Sequence, residues 1–433
     1  MRKALAYAGG GVSPESMSAV VPVVGYGLLG SEMMIGVGGG DGWWMVVAGE
    51  FCILGEMNFS SRTYIRRDDR AESHDRLVAD YFSENPKYNA RMFRERFRMN
   101  RELFLKIVRD MENDNDYFRT RFDARHKTSF SSLQKCTSAI RQLGYGNVPD
   151  SLDEYLNMSD RTSRESLQEF CEGVIRLYGK EYLRRPTAHD VTILYNHHAT
   201  RHGFPGMLGS VDCTHWAWRN CPMAWRGQFM RGDHNCPTLI LEAATSQDTW
   251  FWHAYFGMSG SNNDLNVLNQ SPLFNNLSNG TAPIVPFTIN GNEYKYGYYL
   301  VDGIYPRWSV FVKTIPHATG DKRKRFSGAQ EAARKDVERA FGILKSRWGI
   351  VRLPARAWEE NKIRKVMYAC IILHNMILKD DGLALCLDYV PDPPAVVQDL
   401  EDVRMEIRDS GVHENLQMDL VDYIEQAYLS SKT

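Results

Sequence analysis

Tyr-Tyr-Leu-Val-Asp-Gly-Ile-Tyr-Pro at 298–306, followed after a basic stretch by Ala-Arg-Lys-Asp-Val-Glu-Arg-Ala-Phe-Gly-Ile-Leu-Lys-Ser-Arg-Trp at 333–348, decides the reading of this chain. The first four residues are a β-prone run that Gly303 and Pro306 stop, which leaves Asp302 at a strand end. In the second segment Ala333, Val337, Phe341, Leu344 and Trp348 recur at helical spacing and draw one apolar face. Glu338 lies at its margin, with Arg334 four residues before it and Lys345 seven after. Between Asp302 and Glu338 stand 35 residues.

Working outward toward the N-terminus, three β-prone runs at 207–211, 238–243 and 249–257 are bounded by Gly, Pro, Asn or the polar pair Gln247-Asp248, which reads as a hairpin turn. A helix is expected over 264–277, with Asp264 as its cap or as an acid near the site. The order of three strands, a helix, a strand at 298–302 and a long helix describes an α/β fold: a mixed sheet flanked by helices. Asp212 closes the first strand as Asp302 closes the later one, so these two acids and Glu338 converge on one crevice. Clustered carboxylates repel unless a cation intervenes. Hard divalent ions prefer oxygen ligands, and two of them can activate a water or a 3′-hydroxyl against a phosphodiester. Taken singly, each acid has a plainer reading as a cap, a turn former or a surface charge; only the joint arrangement favours a site.

These segments carry a resemblance. Gly-Phe-Pro-Gly-Met-Leu-Gly-Ser-Val-Asp-Cys-Thr-His-Trp at 203–216, Gly-Ser-Asn-Asn-Asp-Leu-Asn-Val-Leu at 260–268, the 298–306 segment, Arg-Lys-Asp-Val-Glu-Arg-Ala-Phe-Gly at 334–342 and Cys-Ile-Ile-Leu-His-Asn-Met at 370–376 resemble the catalytic domain of plant PIF/Harbinger transposases. The resemblance covers roughly residues 60–430. It implies an RNase H-like fold and a DDE triad of Asp212, Asp302 and Glu338 that acts as the catalytic and metal-binding set, with Mg²⁺ or Mn²⁺ as cofactor. It also implies cleavage of DNA at terminal inverted repeats, action in the nucleus, and a Myb-like partner protein. Asp264 follows Asn263 where related proteins often carry His-Asp, which makes it a candidate second-shell acid.

The remaining chain supplies candidate contacts. Lys322, Arg323, Lys324 and Arg325 form the densest basic run and, with Arg334 and Lys345, are the expected DNA-phosphate ligands; nuclear import and plain solvation are the other readings of the run. Residues 59–200 read as a helical domain for DNA or partner binding. Within it the outline of short helix at 151–156, turn, and longer helix at 162–178 suggests a helix-turn-helix presenting Arg161, Arg164 and Ser166, against the alternative of an ordinary bundle. Arg91, Arg94, Arg98 and Arg101 form a basic stripe backed by Phe93, Phe97 and Phe104. Trp216, Trp218, Trp225, Trp250 and Trp252 could stack on unpaired bases, although at strand spacing such residues are more often core. His197, His198 and His202 match no zinc spacing, and His374 reads as a core residue.

Residues 1–58 are Gly-rich and show neither period; they read as a flexible, disordered arm or as a gene-model extension. Residues 386–433 read as an acidic linker and C-terminal helix. Over the whole chain, 43% hydrophobic and 24% charged residues with a net charge of −1 are ordinary for a globular protein and give no global pull toward nucleic acid. Eight cysteines without a Cys-x-x-Cys argue against a disulfide framework or zinc ribbon. No apolar run is long enough to span a bilayer. The sequence therefore predicts a metal-dependent DNA endonuclease or transposase, with a domesticated, non-cleaving nuclear DNA- or protein-binding factor as the alternative.

Overall fold

The computed structural model describes residues 24–53 apart from 30–31, 40–41 and 48–49, and residues 69–432 apart from 123–125, 127, 233–234 and 393–399. Four antiparallel strands, β1 (Val24–Leu29), β2 (Glu32–Gly39), β3 (Gly42–Val47) and β4 (Glu50–Ile53), form a meander in a compact unit of their own. This corrects the reading of that segment as lacking secondary structure: glycines interrupt the period-2 pattern, yet Gly-Trp-Trp-Met-Val-Val is a β-prone run. Residues 62, 66 and 67 of the Arg cluster lie outside the described residues.

In the second unit, residues 67–433, helices come first. They are α1 (Arg70–Tyr81), α2 (Ala90–Phe97), α3 (Arg101–Asp114), α4 (Ser132–Tyr145), α5 (Asp153–Leu156), α6 (Asp160–Tyr182) and α7 (Ala188–His202). Ser131 and Gln134 make a capping box at the start of α4, and Thr187 and Asp190 make another at α7. The short-turn-long outline is present in α5 and α6, but α6 packs against α4 and the later helix α13 (Glu360–Asp380). Ser166 is fully buried, and Arg161 and Arg164 pair with Glu165 and Asp160 on the same helix. The Arg161 and Arg164 side chains stay largely exposed, while Ser166 is out of reach of a groove. Likewise Arg94 is spent on Asp381 at 2.5 Å, while Phe93, Phe97 and Phe104 are core.

The sheet follows: β5 (Met207–Ala217), α8 (Arg226–Phe229), β6 (Thr238–Thr245), β7 (Phe251–Ser259), α9 (Asp264–Gln270), α10 (Asn275–Ser278), the hairpin β8 (Phe287–Ile289) and β9 (Asn292–Tyr294), β10 (Tyr298–Val301) and β11 (Phe311–Lys313). Its order is β11-β10-β5-β6-β7; β5, β6 and β7 are antiparallel neighbours, whereas β10 runs parallel to both β5 and β11. This is the mixed, helix-flanked sheet of an RNase H-like fold. All eight residues of β6 are buried because helices cover both faces. Pro272 interrupts the helix expected over 264–277, which splits into α9 and α10.

Beyond the sheet lie α11 (Asp321–Arg347), α12 (Gly349–Arg352), α13, α14 (Leu400–Ile407) and α15 (Ser410–Ser430). The helix α11 is pinned across the sheet. Buried Gln330 donates from Nε2 to the carbonyls of Val301 and Val312, at 3.0 and 3.1 Å, and so grips the ends of β10 and β11. Ser210 Oγ on β5 accepts from the Val337 N–H at 3.1 Å. Replacing Gln330 by Met would leave both buried carbonyls without that donor. We expect a loss of about 1–3 kcal/mol in urea unfolding, and an unchanged midpoint would mean that the carbonyls find other partners.

Candidate active site

Asp212 lies inside β5, not at its end as expected. The strand runs on to Ala217 because Cys213, Thr214, His215 and Trp216 continue pairing with β6 down to Thr238, and the Trp216 ring is buried. The register with β10 then matters. Tyr298 pairs with Met207 but Tyr299 pairs with Gly209, so Leu208 is the extra residue of a β-bulge. Beyond it Leu300 pairs with Ser210, two residues before Asp212, and β10 ends at Val301, so Asp302 follows directly on the end of the strand beside β5. Gly209 has φ of 157°, and a Cβ there would meet the Thr245 carbonyl oxygen at 2.2 Å; only glycine fits. The face of Ser210 and Asp212 is the face that α11 covers, since Ser210 bonds to Val337.

Glu338, the next residue along α11, meets Asp212 through a shared cation. Arg334 places one guanidinium nitrogen 3.3 Å from Asp212 Oδ2 and the other 3.3 Å from Glu338 Oε1. Asp212 Oδ1 accepts from the Cys213 N–H at 2.8 Å. Burial pushes the Asp212 carboxyl up from the ordinary 3.8 to about 6; Asp264 and Glu338 push the same way, and the Cys213 N–H and Arg334 oppose. Asp302 is exposed and accepts from the Gly303 N–H at 2.5 Å. Its charge falls on Asp264 and Lys313.

Asp264 begins α9, but the helix cap is Asn263, whose side chain accepts from the Asn266 N–H at 2.9 Å. The Asp264 carboxyl is raised chiefly by burial, and it faces Cys213, Arg231, Asp302 and Glu242. Cys213 follows Asp212 on the strand and so points to the opposite face. The acids therefore divide: Asp212 and Glu338 on the α11 side, Asp264 and Glu242 on the other, and Asp302 at the strand end.

Among the described residues, no three His, Cys, Asp or Glu side chains stand where one metal ion could be held by all of them. The donor set nonetheless suits a hard divalent cation: it is all carboxylate, and the Asp212 charge is disfavoured where it sits. Arg334 is the cation now offsetting it.

The expected phosphate ligands fare differently. Residues 322–325 are the first turns of α11 and not a loop; with no apolar period in those turns, the sequence hid the helix start. Lys322 pairs with Asp422, and Arg325 with Glu425 at 2.7 Å, both on α15. Arg323 and Lys324 are exposed and have no ion pair among the described residues. Lys345 is half-buried and donates to Thr214 Oγ1 at 2.9 Å, while Arg334 is engaged by the acids. Asp336, read as solvated, is buried between His202 at 2.8 Å and Arg339 at 3.2 Å. His198 and His374 are buried and hydrogen-bonded, and burial lowers both, to about 4 and about 3. No sequence signal revealed Ser210, Gln330 or the bulge; each acts through backbone groups.

Residues 180–384 match a family model described as plant transposon protein. This region is similar to plant transposon proteins. It contains Asp212, Asp264, Asp302 and Glu338. Across 296 residues, 66% of this chain and 70% of the relative, the protein is 22% identical to Protein ALP1-like of Arabidopsis thaliana. Together these findings support the resemblance to Harbinger-type transposases. A second model, of a domain of unknown function, matches residues 74–112, and no solved structure matches. Among the described residues no helix is long and apolar enough to cross a membrane.

The raised Asp212 carboxyl has a cost in stability. Below pH 3.8 the group is neutral in both folded and unfolded chains. Between 3.8 and 6 the folded chain holds the extra proton, so stability falls as pH rises through that window. In EDTA, Asp212→Asn should therefore stabilise the fold by up to about 3 kcal/mol at pH 8, and the gain should vanish near pH 4. Thermal melts across that range check it; an equal gain at both ends would refute the cause.

Proposed function

We propose that the protein is a metal-dependent DNA endonuclease of transposase type that cleaves phosphodiester bonds with Asp212, Asp302 and Glu338. The observation that supports the reading is the Asp212 carboxyl raised on β5, with Glu338 brought to it by α11 through Arg334 and Asp302 just past the end of the neighbouring parallel strand. Carboxylates gathered in one region cost stability and suit cation binding. Asp212, Asp302 and Glu338 would hold Mg²⁺ or Mn²⁺, which when bound supplies Lewis-acid activation of the attacking oxygen and stabilisation of the leaving one.

The chain's own part is to orient. Gln330 and Ser210 fix α11 against the strand ends, and the Gly303 N–H fixes the Asp302 carboxylate. Arg334, which pairs with Asp212 and Glu338, would be available to a phosphate where a cation took its place beside those acids. Arg323 and Lys324 would contact the backbone. The nucleus as the place of action, terminal inverted repeats as the target and a Myb-like protein as partner are carried by the likeness to Harbinger-type proteins alone.

A second reading, a non-cleaving nuclear binding factor that keeps the fold as a scaffold, draws on Arg334: a guanidinium already neutralises Asp212 and Glu338 without a metal. Plasmid nicking by the full chain with Mg²⁺, with EDTA and as Asp302→Asn separates the two. Under the nuclease reading, nicking needs Mg²⁺ and falls about a hundredfold or more in the variant; Mg²⁺ also raises the melting temperature of the wild type more than that of Asp302→Asn. Undiminished nicking by the variant would exclude the triad. Absence of both nicking and the Mg²⁺ shift would leave the scaffold.

A further inference from the structure

The tryptophans raised by the sequence as base-stacking candidates separate cleanly. Trp216, Trp218, Trp250 and Trp252 are each no more than 4% exposed and serve as core. Trp225 is 45% exposed and Trp358 65%; among the described residues these are the two strongly exposed tryptophans, and they share one place. Both flank buried Trp218, just past the end of β5. The Trp225 ring centroid is 6.2 Å from that of Trp218, and Trp218 Nε1 donates to the carbonyl of Ala357, the residue before Trp358, at 2.9 Å.

Two more bonds stitch this platform together. The Arg219 N–H donates to the Ala355 carbonyl at 2.9 Å, and Asn220 Nδ2 donates to the Arg356 carbonyl at 2.6 Å. Three arginines border it: Arg219, Arg226 and Arg356 are exposed, and none has an ion pair among the described residues. Other arginines of the chain are held by acids, as Arg94 is by Asp381, Arg184 by Asp190 and Arg325 by Glu425. Here it leaves three planar guanidiniums open beside two exposed indoles on a hydrogen-bonded backbone.

We propose that this platform, Trp225 and Trp358 with Arg219, Arg226 and Arg356, binds an unpaired stretch of DNA, the indoles stacking on bases and the arginines holding phosphates. The proposal rests on the DNA reading above and adds to it where the strand goes. The charges choose the occupant. Three arginines without a carboxylate partner are complementary to a polyanion, and the exposed indoles beside them offer flat faces for bases. The distance is informative too. Six residue steps along β5 and its continuation lead from Asp212 to Trp218, about 20 Å at strand rise. The strand would thus be gripped about that far from the acids.

Fluorescence anisotropy tests this with the full chain carrying Asp302→Asn, in EDTA, on a labelled 20-nucleotide single strand and on the same sequence as duplex. Trp358→Ala and Trp225→Ala should each weaken single-strand binding by about tenfold, with the phenylalanine variants restoring most of it. Changing Arg219, Arg226 and Arg356 together to Gln should flatten the log–log salt dependence by about 2. Because the Trp358 and arginine side chains are exposed, those variants keep the test independent of folding, and melting curves verify it for Trp225. Unchanged single-strand affinity and salt slope, or losses confined to duplex, overturn the proposal. Since the assay needs no cleavage, an inactive wild type that shows these losses refutes the nuclease reading alone, and an active one that lacks them refutes the platform alone.

Discussion

The fixing of one long helix across the open ends of three parallel strands is the constraint on which the rest of this structure depends. Gln330 satisfies two carbonyls at once, Val301 and Val312, and Ser210 lends its hydroxyl to the helix backbone at Val337. These neutral bonds are buried, so breaking one costs far more than breaking a surface ion pair. They set both the height and the rotation of α11 over β5. Glu338, which is exposed and makes few contacts of its own, inherits its position from them. The packing below is ordinary: Phe326 and Ala333 meet Met207, Tyr298 and Leu300 in one cluster. What is particular is that hydrogen bonds and not apolar shape fix the placement of the acid-bearing turn.

Charge is laid out in two layers. On the α11 side the basic first turns are met by an acidic C-terminal helix whose Leu416, Leu420 and Val421 are buried in the same cluster as Phe326. Because that helix is anchored by apolar burial, its acids are a standing part of the local field. Arg323 and Lys324 and the platform beyond β5 are among the exposed positive charges that no acid offsets among the described residues. A chain of near-zero net charge can in this way offer locally cationic surfaces without a basic composition.

Much of this was legible in the sequence, for identifiable reasons. The 298–306 segment announces a strand and its stop through β-branched and aromatic residues followed by Gly and Pro, and the face of α11 follows from its apolar spacing. Strand order and helix placement came from the alternation of periods. The failures share a cause as well. Asp212 reads as a strand end because polar residues follow it, yet Cys213 to Ala217 pair fully with β6. The start of α11 reads as a loop because lysines and arginines facing solvent carry no period, and Gly320 provides no side-chain cap. Asp336 reads as solvated because its burial partners, His202 and Arg339, include one more than a hundred residues away. Contacts distant in sequence and bonds to backbone atoms leave no periodic trace.

The bulge at Leu208 makes the side on which Asp212 emerges a matter of parity. Side chains alternate along a strand, so the single extra residue decides which of two neighbours, Val211 or Asp212, lies on the face under α11, where Ser210 bonds to Val337. Losing or gaining one codon in the first turn of β5 would exchange a carboxylate for a methyl pair while leaving every strand in place. Losing two would restore the side but shift the height. Length variation is tolerated in most surface segments of a domain; in this stretch of four residues it is read as odd or even.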